Sequence, residues 1–101
     1  MTKGTTHKAD GWIIVHEPTH GVDRLFITTS GGYLDSDTWR LSSEITDRRV
    51  EAGYIIFTTY SGSEYQCHRE MERRLGAYGA SVIAPAIEEG RLVPRDYEEN
   101  S

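Results

Sequence analysis

The chain has a single cysteine, Cys67, among 101 residues, so no disulfide can close within it. A reducing, cytoplasmic setting is therefore expected. Positive charge is also short: 11 Lys and Arg stand against 16 Asp and Glu, a formal net charge of -5. Such a balance offers no overall field for a phosphate backbone and disfavours direct nucleic-acid binding, while mimicry of nucleic acid would need several carboxylates on one face. No apolar run approaches the ~20 residues that cross a bilayer. The segment from Met1 to Asp10 lacks the apolar stretch of a signal peptide, so no membrane partner is expected. Cys-x-x-Cys pairs, a lysine at P-loop spacing and Gly-x-Ser-x-Gly are all missing. No cofactor is predicted. The length suits one domain with one modest core.

What is present begins with His16-Glu17-Pro18-Thr19-His20, which satisfies the H-E-x-x-H pattern of zinc metalloproteases letter for letter. That chemistry needs both histidines on one helical face, with the glutamate poised over a metal-bound water. Pro18 opposes it, because a proline inside a helix removes a backbone donor and clashes with the preceding turn, at about 3 kcal/mol. The lead-in Trp12-Ile13-Ile14-Val15 is aromatic and β-branched, and predicts a short buried strand ended by a turn over Pro18-Thr19-His20-Gly21. A metal-dependent hydrolase using His16, Glu17 and His20 is kept as an alternative, with no metal ligand assigned.

Residues 1–11 carry no apolar periodicity and read as a flexible leader; 94–101 read as an acidic tail, loose unless Tyr97 docks. Between them, 12–93 read as a single α+β domain. Strand signals dominate. Over Thr38 to Thr46, Trp39, Leu41, Ser43 and Ile45 alternate with Arg40, Ser42 and Glu44, which predicts one core face and one wet face. Asp23 to Thr29 is a second strand, Tyr54 to Tyr60 a central one covered on both faces, and Glu64 to His68 its hairpin partner across Ser61-Gly62-Ser63. Short connections favour an antiparallel meander of about four to five strands. Met71, Leu75, Tyr78 and Val82 then recur at helical spacing, but Gly76 and Gly79 weaken the start and Pro85 interrupts. A C-terminal helical region around Ala80 to Glu89, stopped by Gly90, is predicted to cover the sheet.

Cys67 and His68 are neighbours on a predicted strand and point to opposite faces, so they form no thiol-imidazole pair. His7, His16, His20 and His68 read as surface and turn histidines. Asp35-Ser36-Asp37 read as turn and capping residues, and the glycines of Ser30-Gly31-Gly32-Tyr33 as turn positions. Arg48-Arg49 and Arg73-Arg74 are the only basic concentrations, each beside glutamates. Six tyrosines are a less usual feature, since tyrosine offers stiff contact area with a polar tip, the chemistry of protein interfaces. Tyr33, Trp39, Tyr60, Arg73, Arg74 and Tyr97 are the candidate contact residues.

Trp39-Arg40-Leu41-Ser42-Ser43, followed by the run from Tyr54 to Cys67, resembles a pattern in small uncharacterised proteins of phages and prophages, over about the middle third of the chain. The resemblance implies a single-domain accessory protein, of anti-CRISPR or other anti-defence type, that binds and blocks a host protein. It carries over no catalytic or binding residue. The expectation is thus a non-enzymatic inhibitor with a host protein or complex as partner and a homodimer open to it; a nucleic-acid binder or mimic is the second alternative.

Overall fold

Gly11 to Val15 and Leu25 to Thr28 are buried without interruption, which requires cover on both faces of the strands they form. The structure, a computed structural model, describes residues 6–29 and 38–97. Its elements are β1 (Thr6–Ala9), β2 (Gly11–Glu17), β3 (Val22–Thr29), β4 (Thr38–Glu51), β5 (Tyr54–Thr59), β6 (Glu64–His68), a single 3-10 turn (Arg69–Met71), α1 (Gly76–Glu88) and β7 (Val93–Arg95). The strands form one mixed sheet in the order β1-β6-β5-β4-β3-β2-β7, with β1 parallel to β6 and every other pair antiparallel.

Asp10 alone separates β1 from β2, yet β1 pairs with β6 and β2 pairs with β3. One continuous stretch of chain therefore borders both ends of the run from β3 to β6, and the sheet rolls up to meet it. Trp12 ties the seam: its indole Nε1 donates to the carbonyl of His68 at 2.8 Å, and its own carbonyl accepts from the Arg73 amide at 2.5 Å. Gly11 is required there, since a Cβ would stand 1.8 Å from the Arg74 carbonyl oxygen.

Inside the roll lie Trp12, Ile14, Leu25, Ile27, Ile55, Phe57, Tyr65 and Cys67. Outside it, Ile13, Val15 and Phe26 meet Ile83 and Ala86 of α1 and Leu92 beyond it. β2 and β3 thus serve two cores, by the strand alternation that sends successive side chains to opposite faces. Gly79 lets α1 approach closely, because a Cβ there would lie 2.4 Å from Thr28 Cγ2.

Two expectations are overturned. The described residues are mostly sheet, seven strands of them in one mixed sheet with one α-helix, rather than an α+β fold on a four- to five-stranded antiparallel meander. Thr6–Ala9, within the expected leader, has no apolar period to announce it and enters through parallel pairing; Val93–Arg95 is three residues long and contains Pro94, tolerated at a sheet edge. Likewise α1 runs unbroken through Pro85 and begins at Gly76, whose φ is 74°. Packing of Ile83 and Ala86 on either side of the proline offsets its one lost backbone bond.

β4 also departs from its predicted alternation. Leu41 opposes Phe26 and Glu44 opposes Arg24, so two residues of β4 stand against Leu25 alone; a second extra residue falls between Ile45 and Asp47. Beside the first bulge Ser42, on the same interior-facing side as Arg40, is 2% exposed, and its hydroxyl accepts from the Leu25 amide at 2.8 Å. The two irregularities allow one strand of 14 residues to bend through both halves of the roll. Among the described residues no helix is long and apolar enough to cross a membrane.

Candidate interaction surface

The H-E-x-x-H segment is a hairpin end. Glu17 closes β2 opposite Val22, and the Gly21 amide donates to the Glu17 carbonyl at 2.8 Å with Gly21 at φ 67°. His16 Nδ1 lies 2.8 Å from Asp23 Oδ1, while His20 Nδ1 lies 2.9 Å from Glu17 Oε2. Each imidazole is held by a different carboxylate, and Glu17 is further paired with Arg24, whose Nε is 2.8 Å from Oε1. The bond from His20 holds the Glu17 carboxyl below its ordinary pKa, Arg24 adds to this, and desolvation opposes it. Among the described residues no group of three or more His, Cys, Asp or Glu is placed to hold a metal ion. Cys67 is buried in the roll, and burial pushes its thiol pKa far up, away from the thiolate that nucleophilic chemistry requires. His68 accepts the Glu70 amide at 3.2 Å and caps the 3-10 turn.

The expected contact residues do not converge. Tyr33 lies outside the described residues, as do Asp35 and Asp37. Tyr60, 81% exposed, stands on the turn from β5 to β6, with its amide bonded to the Glu44 carbonyl. That is five positions along β4 from Trp39, roughly 17 Å of strand. Arg73 pairs with Asp96 at 2.8 Å and Arg74 Nε donates to the Glu70 carbonyl at 3.0 Å, so both serve the chain itself. Tyr97 docks: its ring meets Phe57 edge-on, its amide donates to Glu72, and the Arg48 guanidinium stands 5.5 Å from its centroid. Arg49 is engaged by Glu51 and Glu64.

Trp39 is the exception. It opposes Thr28 on the helix-bearing side of the sheet, stacks on Phe26 with centroids 5.7 Å apart, and keeps 46% of its surface open. On one side it borders an apolar cleft of about 190 Å³ between α1 and β3–β4, lined by Phe26, Leu41, Val82, Ile83, Ala86 and Leu92 together with Arg91. Tyr78, 48% exposed, sits one helical turn before Val82 and extends the same stripe. On the other side Trp39 borders a second cleft, of about 480 Å³, with His7, Lys8, Arg40, Ile27 and threonines around it.

The sequence puts Tyr78 on a helical stripe with Met71, Leu75 and Val82, and Arg40 on the wet side of its strand. The helical period of Tyr78 and Val82 marks a stripe without saying where the sheet beneath it ends. Arg40 opposes Ile27, an interior residue, and so stands at the mouth of the roll, within reach of Tyr65 and His7. No protein-family model, curated protein or solved structure matches the chain.

Proposed function

We propose that this protein acts by stoichiometric binding, with the face centred on Trp39 receiving a segment of another protein. The observation that carries the reading is the position of Trp39: a half-open indole, fixed from behind by Phe26, at the junction of an apolar cleft and a basic one. Rigid aromatic area beside a groove is the arrangement in which binding free energy concentrates. A host protein as the target, and inhibition as the outcome, are what the resemblance to phage accessory proteins adds. A hydrolase on the H-E-x-x-H segment is disfavoured by its geometry, since His16 and His20 are held by separate carboxylates on a hairpin.

The test is affinity capture from a bacterial lysate with the tagged chain, comparing wild type with Trp39→Ala and with Tyr54→Ala. Tyr54 is exposed to a similar degree, 43%, but lies at the far end of the β4–β5 hairpin. A partner recovered at one-to-one ratio, lost with Trp39→Ala and kept with Tyr54→Ala, is expected. Recovery independent of Trp39 places the contact elsewhere.

A further inference from the structure

The basic cleft beside Trp39 has a chemistry unlike the rest of this acidic chain. Three of its lining residues, His7, Lys8 and Arg40, are basic, and among the described residues that line it none is a carboxylate. Thr6, Thr29 and Thr38 add hydroxyls, and the Thr29 and Thr38 side chains bond to each other. His7 stacks on Tyr65 at 4.8 Å, and the Arg40 guanidinium lies close enough to act electrostatically on both, so the two basic groups meet at the mouth of the roll. Lys8 follows His7 on β1 and points to the opposite face, so it contributes to the field rather than to a direct contact.

Resting on the reading of the Trp39 face as a protein-binding surface, we infer that this cleft receives carboxylate side chains of the partner, with His7 and Arg40 as the recognition pair. The bound segment is acidic where it meets β1 and apolar where it crosses Trp39 into the cleft under α1. A nucleic-acid strand fits less well. Its charges repeat along its whole length and would run onto a surface whose net charge is -5. Nor does a phosphate backbone supply the apolar groups that the neighbouring cleft accepts.

The geometry makes recognition depend on pH. Burial, and then the guanidinium of Arg40, hold the His7 imidazole below its ordinary pKa. A carboxylate between the two cations stabilises the imidazolium, so binding and protonation of His7 reinforce each other, and affinity rises as pH falls. The other charged or titratable groups around His7 are Arg40 on β4; Tyr65 and Cys67 on β6, both raised by burial; Lys8 beside it; and Glu64 on β6, paired with Arg49. Asp10, which ends this stretch of chain, carries an interaction of its own.

The probe is the capped peptide acetyl-Leu-Glu-Glu-amide, with its Leu-Gln-Gln analogue as control, titrated to millimolar concentration and followed by amide and imidazole NMR. At about pH 7.5 and about pH 5.5, a window set by the ordinary histidine pKa, the acidic peptide is expected to shift the amides of His7, Trp39 and Arg40. It should bind several-fold tighter at the lower pH and raise the imidazole pKa of His7. His7→Gln should remove the pH dependence while keeping part of the affinity; Arg40→Gln should abolish most of the binding at both pH values. The inference is overturned if the glutamine peptide does as well, if His7→Gln leaves the pH dependence intact, if the shifts fall away from this cleft, or if a single-stranded oligonucleotide binds the cleft more tightly than the acidic peptide. Loss of lysate capture in Trp39→Ala with unchanged capture in Arg40→Gln would sink this inference alone and leave the broader binding reading standing. Peptide binding without any Trp39-dependent partner would do the reverse.

Discussion

The two halves of the rolled sheet are built on different terms. β2 and β3 are covered on both faces, by the interior cluster on one side and α1 on the other, whereas the second part of β4 runs from Thr46 to Glu51 with every residue exposed. Its neighbour β5 stands between these extremes. Ile55 and Phe57 enter the interior, and Ile56, on the opposite face, is 4% exposed although it belongs to neither cluster. Its cross-strand partners are Arg49 and Gln66, long side chains that share its face. An unbroken apolar run therefore demands cover without specifying what provides it: a helix over Ile13 and Val15, flanking side chains beside Ile56. The proposed interaction face lies where the doubly covered half ends, at the rim where α1 no longer shields Trp39.

The largest effects should separate the two cores. Phe57→Ala empties the interior and is expected to cost about 4 kcal/mol, against about 2–3 kcal/mol for Ile83→Ala on the helix side. Urea unfolding followed by circular dichroism and by tryptophan fluorescence measures both. Because β2 and β3 belong to both cores, the two probes should report one transition; early loss of helix signal alone would show that α1 is an independent unit.

Gly79→Ala sharpens the contact between the halves. Helix propensity alone would make the change stabilising by about 1 kcal/mol. The 2.4 Å approach to Thr28 should reverse the sign, to a loss of about 1–3 kcal/mol, recovered when Thr28→Ser makes room in the same chain. A net gain for the single variant would show that α1 can lift from β3 without penalty.

Ser42→Ala has the smallest expected effect, about 1–2 kcal/mol, because it leaves the buried Leu25 amide without its acceptor. Hydrogen exchange at Leu25 should accelerate more than at Ile55. Equal acceleration would mean that the bulge has no special part in bending β4.

Much of the strand content was legible in the sequence, because Trp12-Ile13-Ile14-Val15, Asp23 to Thr29, Tyr54 to Thr59 and Glu64 to His68 each carry a β pattern of their own. The sheet as a whole was not. β1 has no apolar period and exists through its pairing with β6; the irregularity after Ser42 puts Glu44 on the face of Trp39 and Leu41 and turns Ile45 to the interior, against the predicted alternation. Trp39 was legible as a contact candidate from its residue type. Its company was not: Tyr78 and His7 come from two other stretches of chain and Arg40 from the far face of its own strand, and only the roll brings them to one rim.

The most direct measurement is the dissociation constant of the captured partner for wild type, Trp39→Ala and Tyr54→Ala, each first shown to unfold at the same urea midpoint. Loss of a central interface aromatic should weaken binding by at least about 2 kcal/mol, roughly thirtyfold, for Trp39→Ala, with Tyr54→Ala close to wild type. Equal affinities for all three proteins would contradict the placement of the binding face at Trp39.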